Sequence, residues 1–167
     1  DVSNALQVDR LVQAAGDNFG RLDILVNNAG QPGGLARGPL ATVTDEAMLE
    51  DLNVKFMGYL RCARAAAPYM ERQGWGRIVH IAGLSARQSG SYSTGARNIA
   101  VVHLSKTLAD ELGSVGITSN VVHPGATRSE YIEELIVTEA QQKGITVEQT
   151  ISVNQRLAKN KIIIALI

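Results

Sequence analysis

Three short apolar runs, spaced by stretches of helical length, constrain this chain more than any other feature. They are Leu22–Val26, Ile78–Ile81 and Ile117–Val122. Each meets a polar or glycine-containing stop: Asn27-Asn28-Ala29-Gly30, Ala82-Gly83 and His123-Pro124-Gly125. The intervals carry helical periodicity. Leu6, Val8, Leu11, Val12 and Ala15 predict a first helix with Ser3 as N-cap. Thr42 or Thr44 should cap a long second helix running to about Gln73, through Met48, Leu52, Phe56, Leu60, Ala63, Ala67 and Met70. Val101, Leu104, Leu108 and Leu112 form the stripe of a third, with Thr94 as its expected N-cap. Weaker helical patterns occupy 129–142 and 146–158, and the closing Ile162–Ile167 reads as a strand.

Helix and strand in strict alternation describe parallel βαβ units. Strand cores that are apolar throughout suggest burial on both faces. Ligands of such sheets bind beyond the carboxyl ends of the strands. Three segments should therefore line one edge: Asn27–Gly30, Ala82–Ser85 and His123–Thr127.

The balance of 16 basic and 16 acidic side chains gives no electrostatic reason to expect nucleic acid or a membrane surface as partner. One cysteine, Cys62, excludes an internal disulfide and suits a reducing, cytoplasmic setting. It should be a small buried hydrophobe. His80, His103 and His123 are scattered without metal-ligand spacing, so no metal is expected. The helical opening at Asp1, without a methionine, suggests a fragment of a longer chain.

The three edge segments carry a resemblance. Leu22-Asp23-Ile24-Leu25-Val26-Asn27-Asn28-Ala29-Gly30 is similar to the N-N-A-G strand end of the short-chain dehydrogenase/reductase superfamily. Asp1-Val2 resembles its adenine-contacting acid. Leu52-Asn53-Val54 resembles the asparagine of its catalytic tetrad, and Gly76–Ile81 the strand before its serine. His103–Leu112 is similar to the helix after its tyrosine–lysine motif, and Asn120–Gly125 to the P-G motif beside the nicotinamide. The match runs in order over about residues 1–130.

The resemblance implies a Rossmann-like, doubly wound parallel sheet in three α/β/α layers. Residues 1–167 would be a single partial domain whose first βαβ units lie outside this sequence. It further implies NAD or NADP as cofactor, bordered by Asp1, Val2, Asn28, Ala29, Gly30, Ile81, Pro124, Gly125 and Thr127. The glycine-rich pyrophosphate turn of the family is not found among these residues, and the choice between the two nucleotides is not legible. A small-molecule carbonyl or alcohol would be the substrate. Helices near 45–72 and 95–112 correspond to those that pair subunits in the family.

Three tetrad positions depart from the pattern. Ungapped counting places Thr94 where the family has tyrosine, Asn98 where it has lysine and Gly83 where it has serine. A threonine hydroxyl is a far poorer acid than a phenol, whose ordinary pKa is about 10. Asparagine brings no charge. Tyr92 and Ser85 are the nearest alternative hydroxyls, with Asn53 holding a water or the helix backbone. Arg97 should point roughly 100° away from the lysine position. The expected site is therefore Asn53, Ser85, Tyr92, Thr94 and Asn98, acting in NAD(P)-dependent hydride transfer. Two alternatives stay open: a nucleotide-binding or scaffold protein without turnover, and a non-redox reaction on the same fold.

Overall fold

The computed structural model describes residues 1–124, 130–158 and 163–165. They fall into two compact units, one within Asp1–His123 and Ile164–Ile167, the other within Pro124–Ile163.

The first unit opens with helix α1 (Ala5–Phe19), capped by the Asn4 side chain, which accepts from the Gln7 N–H. Asn4 and not Ser3 is the cap; the two residues are equally suited, and sequence could not separate them by one position. Strand β1 (Ile24–Asn27) follows. Helix α2 (Asp45–Leu52) starts at Thr44, whose side chain accepts from the Ala47 N–H, with Asp45 and Glu46 in its first turn.

The long second helix is not uniform. Between α2 and helix α3 (Gly58–Gln73), residues Asn53–Met57 form one wide π turn, closed by the Gly58 N–H on the Asn53 carbonyl. Strand β2 (Gly76–Ile81) precedes helix α4 (Tyr92–Leu112), and strand β3 (Ile117–His123) follows it. Ser91 caps α4, accepting from the Thr94 N–H, so Thr94 stands inside the first turn and is not the cap expected of it. The sheet order is β1-β2-β3-β4, with β4 at Ile163–Ala165. The pairs β1–β2 and β2–β3 are parallel, with Asn27 opposite His80 and His80 opposite Val121.

Register assigns the faces. Leu25, Asn27, Ile78, His80, Ile117, Ser119, Val121 and His123 share one face, because side chains alternate along a strand. That face is covered. Val8, Val12, Cys62, Ala63, Ala66 and Met70 pack there with Ile78 and Ile117. Beside them Tyr59, Ala82, Val101, Leu104 and Val121 form a second cluster. Ser105 on α4 meets Ser119 on β3 through their hydroxyls at 2.9 Å, which satisfies both buried groups. Cys62 is a buried free thiol in the first cluster, as its isolation implied.

The opposite face corrects the expectation of strands buried on both sides. On β1, Ile24 is 63% and Val26 56% exposed. Arg77, Val79 and Ile81 on β2 are only half-buried. An apolar run signals the capacity for two-sided burial and says nothing of whether both layers are present.

The second unit contains helices α5 (Glu130–Lys143) and α6 (Val147–Ala158), close to their expected bounds.

Candidate active site

The carboxyl ends of β1 and β2 gather the polar residues of the first unit. Asn28, Ala29 and Gly30 leave β1 with exposed backbone and little side-chain bulk. At the end of β2, the chain passes through Ile81, Ala82 and Gly83 into a short turn at Leu84–Ala86.

Ser85 lies in that turn. Its hydroxyl accepts from the Asn98 amide at 2.7 Å and donates to the Thr94 carbonyl at 3.2 Å. Asn98 is buried, and among the described residues its Oδ1 finds no donor. Gly83 sits against the same amide: a Cβ there would come within 2.9 Å of Asn98 Nδ2. The space that a side chain at 83 would need is filled by the side chain at 98. His123, at the end of β3, donates from Nδ1 to the Gly83 carbonyl at 2.9 Å and fixes the turn from the other side.

Ser85, Asn98, Gly83 and the Thr94 backbone thus come together. The Thr94 hydroxyl does not join them; it donates to the Ser91 carbonyl within its own helix turn. Tyr92 is the first residue of α4 and 44% exposed. Asn53 is elsewhere. Its Oδ1 accepts from Arg61 at 2.7 Å, its carbonyl accepts from the same guanidinium, and Arg61 also donates to the Val2 carbonyl. Val2 packs its side chain against Gly58, where a Cβ would meet Val2 Cγ2 at 2.9 Å. Asp1 is exposed and accepts from the Ser3 N–H. Pro124 follows β3 directly and is exposed, whereas Gly125 and Thr127 lie outside the described residues.

The loop after β1 is fastened by groups to which sequence reading gave no such role. Asp51 on α2 and Arg97 on α4 form an ion pair with side chains 1% and 5% exposed. Asp51 also accepts from the Leu35 N–H, and Arg97 donates to the Gln31 carbonyl. Ser93 accepts from the Ala36 N–H, while Ser91 donates to the Ala36 carbonyl. A buried pair of this kind keeps its charges because each is hydrogen-bonded beyond its partner. Arg97 does turn away from the Asn98 amide, as helical spacing required, but it turns inward.

Lys55, in the wide turn, was also missed. It is 6% exposed, and its Nζ donates to the Ala82 carbonyl at 3.1 Å. Burial, together with the Arg97 charge and against the pull of Asp51, brings its pKa down to about 8. Tyr59 beneath it donates to the Ile81 carbonyl, and burial pushes its phenol pKa up.

His80 is fully buried and stacks on Tyr59, with ring centroids 5.6 Å apart. Asn27 donates to its Nδ1 at 3.1 Å, which requires that nitrogen to be unprotonated. Burial lowers the His80 pKa to about 4. In the unfolded chain the imidazole titrates near 6.5, so between these values the unfolded state holds more protons than the folded one. Stability is therefore full above about pH 6.5 and falls as the pH drops toward 4, by on the order of 2–3 kcal/mol. Urea unfolding at pH 7 and pH 4, in the parent and in His80→Gln, checks this. An equal acid loss in the variant would show that other groups cause it.

Among the described residues no three His, Cys, Asp or Glu side chains gather as metal ligands, and no helix is long and apolar enough to cross a membrane.

Comparison with known proteins adds the lineage. Residues 1–159 match a family described as enoyl-(acyl carrier protein) reductase. The short-chain reductase protein NovJ of Streptomyces niveus is 36% identical over 137 residues, which is 81% of this chain and 51% of that protein. Among solved structures, ElxO with NADP bound is 31% identical with a TM-score of 0.76, over 83% of this chain and 56% of that one. NAD+-bound xylitol dehydrogenase is 26% identical with a TM-score of 0.76, over 84% of this chain and 55% of that one. The chain spans about half the length of the curated relatives it matches. Ordered strand-end motifs, the parallel sheet and the family match over 159 residues agree, and the chain belongs to the short-chain dehydrogenase/reductase family.

Proposed function

We propose that this protein is an NAD(P)-dependent oxidoreductase that interconverts a carbonyl and an alcohol on a small-molecule substrate. The observation that carries the reading is the shared edge: small, exposed Asn28–Gly30 after β1 and the polar Gly83–Ser85–Asn98 group after β2. Both relatives of solved structure cited above hold a nicotinamide nucleotide.

The residues present fit such a group. Ala29 and Gly30 leave backbone open to a flat ligand, and Asn98 offers a buried oxygen that still needs a donor. Asn28, Ala29, Gly30 and Ile81 would border the nucleotide, with Asp1 and Val2 toward its adenine side and Pro124, Gly125 and Thr127 following β3. When bound, the nicotinamide supplies or accepts hydride. Ser85 would turn its hydroxyl proton from the Thr94 carbonyl to the substrate oxygen, and Asn98 would hold Ser85. Tyr92 would add a second hydroxyl to the site, Thr94 would contribute the carbonyl that meets Ser85, and Asn53 would act through the helix backbone. We further propose a cytoplasmic homo-oligomer paired through the helices of residues 45–72 and 95–112. The exposed Leu49 and Ile99 on those helices support that arrangement.

One observation favours a second reading. Asn98 fills the place that a serine side chain at 83 would need, so the family's serine, tyrosine and lysine positions are changed together. A nucleotide-binding protein without turnover would show the same arrangement.

Calorimetry of the full chain with NAD+, NADH, NADP+ and NADPH tests both. Binding of one pair, followed by absorbance change on a panel of carbonyl substrates, supports the oxidoreductase. Binding without turnover supports the second reading. Ser85→Ala should leave nucleotide affinity within about threefold and lower turnover by about 10²-fold or more, the usual range for a lost positioning group. Undiminished turnover in Ser85→Ala would remove Ser85 from the site.

A further inference from the structure

The chain has lost a cation at position 98 and buries another one nearby. Lys55 is almost fully enclosed, yet among the described residues its ammonium forms no ion pair: the nearby Asp51 binds Arg97 and the Leu35 N–H. Its hydrogen bond goes to a neutral carbonyl, that of Ala82, one residue before Gly83. Burying a charge that no carboxylate contacts directly costs free energy, and a neutral side chain could donate to that carbonyl without the penalty. The wide turn Asn53–Met57 turns Lys55 inward, and turns of that type recur at functional sites.

On one side the amine is bordered by Gly30. Gly30, exposed at the end of β1, has no Cβ; one placed there would lie 3.3 Å from Lys55 Cδ and 3.8 Å from Nζ. Any larger residue at 30 would close that side. Lys55 Nζ therefore lies between the Asn28–Gly30 loop and the Ala82–Ser85 turn, the two segments that define the edge.

We propose that Lys55 is the proton donor of this site, giving a proton to the substrate oxygen during carbonyl reduction and taking one back during alcohol oxidation. The inference rests on the oxidoreductase reading. The new C–H bond takes its electron pair from the dihydronicotinamide. The carbonyl π pair moves to oxygen, and a Lys55 N–H bond breaks to complete the hydroxyl. The neutral amine then regains its proton from water.

The groups facing Lys55 are less fit for this work. Arg97 from α4 is permanently charged and paired. Asp51 from α2 is committed as an acceptor to Arg97 and to the Leu35 N–H. Tyr59 from α3, its ring centre 5.9 Å from Nζ, is committed to the Ile81 carbonyl. His80, stacked on the far side of Tyr59, is held neutral by Asn27. From the end of β2 the Ala82 carbonyl faces the amine. Lys55 alone among them changes protonation near neutral pH, at about 8.

The test follows the lysine itself. The full chain, labelled with 13C at the lysine ε carbons, is titrated by NMR with saturating NAD+ or NADP+ and again with NADH or NADPH. Lys55→Arg identifies the signal; should that variant not fold, its titration well below the ordinary lysine range identifies it. The nicotinamide cation beside Lys55 should lower its midpoint by about one unit, a tenfold loss of proton affinity, relative to the uncharged reduced form. Binding of both forms with an unchanged Lys55 midpoint overturns this inference and leaves the oxidoreductase reading standing. Failure of all four nucleotides to bind overturns both.

Discussion

Asp51→Ala will destabilise the protein by about 3–5 kcal/mol, because it strands the buried Arg97 guanidinium without a counter-ion. The two side chains are 1% and 5% exposed, so water cannot take over the lost contact. The same change removes the acceptor of the Leu35 N–H. A double variant, Asp51→Leu with Arg97→Met, should lose less than either single change, since it leaves no orphaned charge. Urea unfolding of the parent, both single variants and the double variant measures the coupling. A loss below about 1 kcal/mol in Asp51→Ala would show that Arg97 finds water or another partner.

Gly34→Ala is expected to cost about 2–4 kcal/mol, from two independent sources. Its φ is +74°, in the left-handed region that a Cβ disfavours. The added carbon would also lie 2.6 Å from Thr94 Cγ2, 2.7 Å from Ser93 Oγ and 2.8 Å from Asp51 Oδ2. Overpacking of this sort typically costs about 1–3 kcal/mol. The loop after β1 would lift from α2 and α4, so protease cleavage between Gln31 and Arg37 should accelerate in step with the lost stability. Gly90→Ala serves as the control, because a Cβ there meets nothing within 4 Å.

The edge of the sheet was legible in the sequence because it depends on where apolar runs stop. Asn28–Gly30, Gly83 and Ser85 follow β1 and β2 directly, at the strand ends that this reasoning marked. Lys55 was not legible, and the reason is geometric. Reading residues 45–73 as one helix assumes a constant 100° per residue. The π turn at Asn53–Met57 breaks that phase, so Asn53 fastens Arg61 while Lys55 turns inward. Hydropathy also treats every Lys, Asp and Arg as surface, which hid Asp51 and Arg97 as well as Lys55. Nothing in composition marks a charge that will be buried against its partner. The helix starts failed differently. Asn4 replaced Ser3 and Ser91 replaced Thr94 because several good caps stood within a few residues, and only backbone conformation chooses among them.

The outermost strand carries a hazard for anyone producing this polypeptide by itself. β1 pairs with β2 along one side, and among the described residues no strand pairs with its other side, with Ile24 and Val26 exposed. Unsatisfied backbone groups beside bare aliphatic side chains form a template onto which a second molecule can add. The Arg21–Asp23 ion pair stands directly before the strand, where charged residues restrain such growth. Neutralising that pair should turn a manageable protein into a precipitating one, and a charged residue in place of Val26 should do the reverse.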